Sequence, residues 1–361
     1  MTIQLFDLEP ELARKIIAIA LSQYGEIIGE MESPNYRLYT FDRGAQTHPR
    51  YMVAKAPKYL LAKDPSQHLT RTQKFLYEIN QAFQFSNHYF AHPFTRIELV
   101  LGVPIILAQK RDCTLRDVIA VGPCDELVAL TILYQMLHVL SFFRELGLEA
   151  HQDIKPENIF LNSVAKHFVS GDTAASPYMA YLADFGLANA FRNLGKPYGS
   201  RPYMAPEMYE RAPPGVSYEK VDVFGLGVVL FELLTGGIHP IGKETALIWP
   251  TAKPGESKNW EREDRWKKWA RSSRSEGNLE PISNPELRNF IRRCIDPDKD
   301  TRLSIMAAEL ECLEMIRRHS SQAATELQIR SREGDEYSRS VRENGWPWYE
   351  DQLKKLNEYY G

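Results

Sequence analysis

The stretch HQDIKPENIF, residues 151–160, sets His151, Asp153, Lys155 and Asn158 within eight positions and then turns apolar. A carboxylate, an ammonium and an amide at this spacing can orient a hydroxyl, neutralise phosphate charge and offer oxygen to a hard cation. A neutral residue, Gln152, sits inside the set. Two more short motifs follow in order, ADFGLA at 183–188 and MAPE at 204–207, the first bringing a second carboxylate, Asp184. Any one of these residues alone would read as a surface polar group after a helix. Their order and spacing together argue for chemistry.

The surrounding chain bounds that chemistry. With 361 residues, 43% hydrophobic and 25% charged, it can bury two packed lobes or one large domain. The formal net charge is −3, and Lys and Arg are dispersed, so neither nucleic acid nor an anionic membrane is an expected partner. The basic run RWKKWARSSR, 265–274, reads as a solvated helix face rather than an anion site. The start, MTIQLFDLEPELARK, lacks a positive-then-apolar signal pattern. The longest apolar run, VFGLGVVLFELLTGG at 223–237, is too short to span a bilayer and contains Glu232. Cys113, Cys124, Cys294 and Cys312 are far apart and form no CxxC. The expectation is a soluble protein in a reducing cytoplasm.

Residues 1–23 read as an amphipathic helix with Leu12, Ile16, Ile19 and Ala20 on one face. YRLYTF (36–41) and RYMVAKA (50–56) read as strands, and 67–84 as a helix with Phe75, Leu76, Ile79 and Phe83 on its apolar face. IELVLGVPIILAQ, 97–109, reads as two buried strands joined at a glycine. Beyond a linker near 109–113 the chain turns helical, starting with a helix that Asp125 can cap. A ligand would suit a cleft between the two lobes. Residues 163–178, rich in Ser, Ala and Gly, read as a surface loop or extended hairpin. The aromatic tail NGWPWYEDQLKKLNEYY is either a partner site or a clamp on the domain.

Taken together, HQDIKPEN, ADFGLA and MAPE resemble the eukaryotic-like (Hanks-type) serine/threonine protein kinase family, which carries His-Arg-Asp-Leu-Lys-Pro-x-Asn, Asp-Phe-Gly and Ala-Pro-Glu in that order. The resemblance runs over roughly residues 24–317. It implies an α+β, bilobal protein-kinase-like fold: a β-rich N-lobe with one main helix and a mainly helical C-lobe. The implied division is an N-terminal helical extension at 1–23, an N-lobe at 24–109, a C-lobe at 110–319 holding the 163–178 insertion, and a C-terminal extension at 320–361.

The resemblance also implies roles. Asp153 would orient the acceptor hydroxyl and take its proton late, and Lys155 would meet the transferring phosphate. Asn158 and Asp184 would hold Mg²⁺. Lys55, ending the strand MVAK, would hold the α/β-phosphates of ATP with Glu78 as its partner; Lys58 is a rival to Lys55, although Pro57 precedes it. Gly29, Leu107 and Gln109 complete the implied ATP-binding residues. Ser200 would position the substrate near Asp153 and Lys155, while Glu207 with Arg302, and Asp222, would be scaffold. KPEN and GSRPYMAPE resemble Ser/Thr kinases, so the implied reaction is transfer of the γ-phosphate of ATP, with Mg²⁺, to Ser or Thr of a protein. Glu157 and Glu232 fall where some relatives receive a substrate arginine. The alternatives are a pseudokinase, a binding or scaffold module, and a small-molecule kinase of the same fold.

Two departures stand out. Where the family has Gly-x-Gly-x-x-Gly, this chain has IIGEMESPNYRLY: Gly29 matches, but Met31 and Pro34 or Asn35 stand at the other positions. Without those glycines, backbone N–H groups approach phosphate less closely. The second departure is Gln152, which cannot pair with an activation-loop phosphate as the family arginine does. Between Gly186 and Ala205 lie 18 residues in which Ser200 is the only Ser or Thr. The expectation is activity that does not depend on activation-loop Ser/Thr phosphorylation, with control coming from the N-terminal helix, the insertion, the tail or a partner.

Overall fold

A computed structural model describes residues 8–32, 36–57, 65–85, 87–164, 176–194, 198–210, 217–249, 263–276, 278–344 and 354. Lys58, Pro34, Asn35, most of the 163–178 insertion and the aromatic tail lie outside them. The chain divides into two compact units: Met1–Asn87 with His92–Lys110 and Tyr337–Gly361, and His88–Ala91 with Arg111–Glu336.

The first unit is built on a five-stranded sheet with order β1-β2-β3-β5-β4. The strands are β1 (Glu26–Glu32), β2 (Tyr36–Asp42), β3 (Tyr51–Pro57), β4 (Phe94–Val100) and β5 (Val103–Gln109). All pairings are antiparallel. Helix α1 (Pro10–Leu21) supplies Ala13, Ile17 and Leu21 to a core with Tyr39, Phe41, Ala54 and Leu107. Helix α2 (Pro65–Phe85) packs Phe75, Ile79 and Phe83 on Ile97 and Ile106. Strand alternation sends neighbouring residues to opposite faces. Lys55 lies opposite Ile106, and Ala54 opposite Leu107, so Lys55 shares the α2 face and Leu107 the α1 face.

The helix expected at 1–23 is present, but its buried face differs. Leu12 and Ile19 are exposed, while Ala13 and Ile17 are buried and Ile16 and Ala20 only partly so. A helix that carries apolar side chains around much of its circumference offers more than one stripe, and contact with the sheet decides which is covered.

In the second unit, Thr114 caps α3 (Leu115–Val121) with a capping box. Asp125 caps α4 (Glu126–Glu145), its side chain accepting from the N–H groups of Leu127 and Val128 at 2.9 and 3.4 Å. Helix α4 is long and apolar enough to cross a bilayer, yet most of it is buried in the protein's own core. Against it packs a sheet of β6 (Cys113–Thr114), β7 (Ile159–Ser163) and β8 (Tyr178–Leu182). The insertion joins β7 to β8, and Val164 N–H bonds the Pro177 carbonyl at its base. Helices α5 (Val221–Thr235), α6 (Glu263–Glu276), α7 (Pro285–Cys294) and α8 (Ile305–His319) follow. The basic run lies on α6, where Trp266 and Trp269 are buried, so its inner face is core and its outer face solvated.

Helix α9 (Ser321–Glu343) begins immediately after α8. Its residues Ala323, Ala324 and Leu327 are buried, and Asp335 accepts hydrogen bonds from both His88 Nε2 and His138 Nε2 at 3.1 Å. These three residues are close enough to suit a metal ion. The proton count argues otherwise. Phe90 N–H donates to His88 Nδ1, so a neutral His88 carries its proton on Nε2, the atom that would have to meet the metal. His138 Nδ1 bonds Glu309 at 2.7 Å, which makes His138 an imidazolium between two carboxylates. Burial opposes that charge, but Asp335 and Glu309 prevail and raise its pKa to about 9. The cluster is a hydrogen-bonded clamp.

Candidate active site

The loop after α4 places Asp153. Gln152 has a positive φ of 69°, which a non-glycine residue adopts only when its surroundings insist. Here the buried Asp222 of α5 insists: its carboxylate accepts the backbone N–H of His151 at 2.7 Å and of Gln152 at 2.9 Å. Burial pushes the pKa of Asp222 up, against the pull of His151 and these donors. His151 Nε2 bonds the Ala183 carbonyl, and its ring packs edge-on against Phe185, with centroids 5.0 Å apart. One buried imidazole thus joins the loop to the Asp-Phe-Gly turn.

Four donors converge on Asp153. Oδ1 accepts from Ser200 N–H at 3.0 Å and Ser200 Oγ at 2.7 Å. Oδ2 accepts from Lys155 Nζ at 2.6 Å and Asn158 Nδ2 at 3.1 Å. Lys155 Nζ also lies 3.2 Å from Ser200 Oγ. Burial works against the Lys155 ammonium, yet Asp153 beside it holds its pKa above the ordinary value. Asn158 also donates to the Asp153 carbonyl at 2.9 Å, so its amide nitrogen is committed and its oxygen is the atom suited to a hard cation. Asp184 is exposed, in a left-handed conformation with φ 64°, and its Oδ1 accepts from Gly186 N–H at 3.4 Å. An amide oxygen and an exposed carboxylate form a donor set that fits Mg²⁺, which takes oxygen and keeps several waters. Asn158 and Asp184 would hold it, and the ion would neutralise phosphate charge.

The segment 199–207 reaches Asp153 because Gly199 allows it. A Cβ there would lie 2.5 Å from the Gln152 carbonyl oxygen, which no side chain tolerates. Farther along, Glu207 and the buried Arg302 form a bidentate pair at 2.6 and 3.0 Å, and Arg302 Nε also bonds the Asp296 carbonyl. This is the scaffold pair read from the sequence.

The first unit brings Lys55 and Glu78 together as an ion pair, with Lys55 Nζ 4.5 Å from the centre of the Tyr36 ring. Gly29 lies in β1 opposite Thr40, at the end of a register shift between Ile27 and Gly29, and a Cβ there would make normal contact at 3.7 Å. Leu107 and Gln109 need correction. They pair with Ala54 and Met52, so their side chains project on the face opposite Lys55, and Leu107 is packed in the α1 core. Ile106 and Ala108 stand on the Lys55 face instead. Strand alternation fixes which residues of β5 share a face, and the register against β3 decides which of those faces is that of Lys55.

The sequence pattern of the family described as Protein kinase domain matches residues 102–312, more than half of the chain. This chain belongs to the protein kinase domain family. Its kinase region is 31% identical over 198 residues to Serine/threonine-protein kinase CHK1 of Saccharomyces cerevisiae, covering 52% of this chain and 31% of that one. It is 32% identical over 149 residues to Serine/threonine-protein kinase PrkC of Bacillus subtilis, covering 40% and 20%. It is 26% identical over 228 residues to CBL-interacting serine/threonine-protein kinase 18 of Arabidopsis thaliana, covering 63% and 38%. In each case the matched part is under two fifths of the relative's length. The family match takes in Asp153, Lys155, Asn158, Asp184 and Ser200 and begins after Lys55 and Glu78.

Proposed function

We propose that this protein is an active serine/threonine protein kinase that moves the γ-phosphate of ATP to a Ser or Thr hydroxyl of a protein, using Mg²⁺. The carrying observation is the set of four donors on Asp153, two of them from Ser200. In-line phosphoryl transfer depends on positioning and charge neutralisation, and this set supplies both. Asp153 orients the acceptor hydroxyl and takes its proton as the bond to phosphorus forms. Lys155 stabilises charge on the transferred group. Lys55, held by Glu78, steadies the α/β-phosphates.

The activation segment supports a second element of the proposal, independence from activation-loop Ser/Thr phosphorylation. Gln152 Nε2 donates to the Leu187 carbonyl at 2.8 Å. A neutral hydrogen bond thus ties the catalytic loop to the residue after Asp-Phe-Gly, whereas in many relatives an arginine at this position pairs with an activation-loop phosphate. Ser200, the only Ser or Thr there, is already committed to Asp153. Protein substrates, a regulatory partner at the 320–361 extension or the 163–178 insertion, and a cytoplasmic location belong to the same reading. Cys294 and Cys312 are buried thiols, in keeping with a reducing compartment.

The test is incubation of the purified chain with labelled ATP and Mg²⁺, with and without prior phosphatase treatment, beside Asp153→Ala. Expected is label on Ser or Thr of protein, unaffected by phosphatase and absent in the variant. Nucleotide binding without transfer would establish the pseudokinase, whose support is Met31 and Pro34 or Asn35 standing where the family carries loop glycines.

A further inference from the structure

We infer that Arg116 is a specificity-determining residue: it fills the acidic site formed by Glu157 and Glu232 beside the acceptor position, and so removes selection for basic residues in the substrate. The inference rests on the protein kinase reading above.

Arg116, the second residue of α3, reaches three groups at once. Its Nε donates to Glu157 Oε1 at 2.8 Å, Nη1 to Glu232 Oε2 at 3.3 Å and Nη2 to Tyr203 Oη at 2.5 Å. Tyr203 Oη in turn donates to Glu232 at 3.0 Å, and Thr245 Oγ1 donates to its other oxygen. Glu232 is completely buried on α5, whereas the Glu157 side chain is 42% exposed.

The location gives this cluster its meaning. Glu157 lies four residues after Asp153 in the same loop, and Tyr203 three residues after Ser200, which bonds Asp153 twice. An acceptor peptide reaching Asp153 must pass close by. Two carboxylates, one buried and one at the rim, would draw a cationic side chain into such a place. A guanidinium is the group best matched to them, and the chain supplies its own. Burial alone would push Glu232 up, and with Arg116, Thr245 and Tyr203 around it the carboxyl still sits at about 7. Glu232 Oε2 already accepts from Arg116 and Tyr203, and Oε1 from Thr245, so the buried carboxylate has little capacity left for a second cation. This reverses the sequence resemblance, in which Glu157 and Glu232 stand ready for a substrate arginine.

The test uses the full chain, Mg-ATP and an arrayed Ser/Thr peptide library in which each position around the acceptor is varied, with Asp153→Ala as the blank. Wild type should discriminate arginine from alanine by less than about threefold at every position, as for an exposed charge. Arg116→Ala should gain a preference of about tenfold or more for arginine at one or two positions. Because Arg116→Ala leaves a buried carboxylate unpaired and could fail to fold, Glu157→Gln in the wild-type background provides a second measurement. It should leave the arginine-to-alanine ratio unchanged. A wild-type preference of about tenfold or more for arginine, lost in Glu157→Gln, overturns the inference and leaves the kinase reading intact. A folded Arg116→Ala with no new basic preference overturns it too. Wild type that phosphorylates nothing above the blank overturns the kinase reading, and this inference with it.

Discussion

Asp153 and Lys55 are the charged groups at the centre of the two units, and they are held in different ways. Asp153 is fixed by donors from 155–158 and from Ser200, on a loop whose backbone hangs from a buried carboxylate. Lys55 meets Glu78 and the face of Tyr36, on a strand positioned by main-chain pairing and apolar packing. A polar network fixes the identity of every member, because one missing partner leaves a buried group unsatisfied. Apolar packing constrains volume and pattern more than identity. The family match covers the Asp153 network, at 102–312, and begins after Lys55 and Glu78.

The comparison can be broken or sharpened by mutation. Asp153→Ala should have the largest effect, a loss of about 10³-fold or more in phosphotransfer with ATP binding retained, read by turnover and by nucleotide titration. Retained turnover would show that the network does not serve catalysis. Arg302→Leu should cost about 3–5 kcal/mol of stability by chemical denaturation, because it leaves Glu207 half-buried without its bidentate partner. Lys55→Met should lower kcat/KM for ATP by about 10²-fold, less than Asp153→Ala, since one electrostatic contact is lost and the acceptor side is untouched.

The His138 clamp gives a smaller effect with a defined pH window. His138 is raised to about 9 from its ordinary 6.5, so its contribution is full below about pH 6.5 and fades as pH rises through about 9. Asp335, held down by the two histidines against burial, stays charged across that range; His88, pushed down by burial, stays neutral. His138→Gln should therefore cost about 2 kcal/mol at pH 6.5 and markedly less at pH 9.5, measured as denaturation midpoints of both proteins. An equal gap at both values would remove the imidazolium from the clamp. The smallest effect is expected for Gly29→Ala: the KM for ATP should stay within about twofold, because a Cβ meets Thr40 at ordinary contact distance. A large rise would show that the drifted loop still needs its glycine.

Sequence reading went furthest where chemistry restricts the residue. Asp153, Lys155, Asn158 and Ser200 were legible because their spacing is functional, and the structure brings them within hydrogen-bond reach. Lys55 and Glu78 were legible as the end of a strand and the acid of the following helix, and they do pair. Leu107 and Gln109 were named as ATP-binding residues without regard to sheet face, and their side chains fall on the face opposite Lys55, because pairing register depends on partner strands. The stripe of α1 was misread because its apolar arc is wider than one stripe, and the sheet it covers selects Ala13, Ile17 and Leu21.

By itself, the sequence pointed to the family and to Asp153, Lys155, Asn158 and Ser200 as one group, because those rest on local spacing and on side chains with few substitutes. Only the tertiary structure decided the long-range pairings that no motif implied. Arg116 finds Glu232, His138 finds Asp335, and Gly199 lets a distant segment approach Gln152. Those pairings depend on where packed helices and strands bring residues that are 116, 197 and 47 positions apart (199 − 152 for the last), and no local pattern records them. The same holds for HQDIKPENIF: its letters suggest the chemistry, but only the fold shows the Gln152 amide reaching the Leu187 carbonyl.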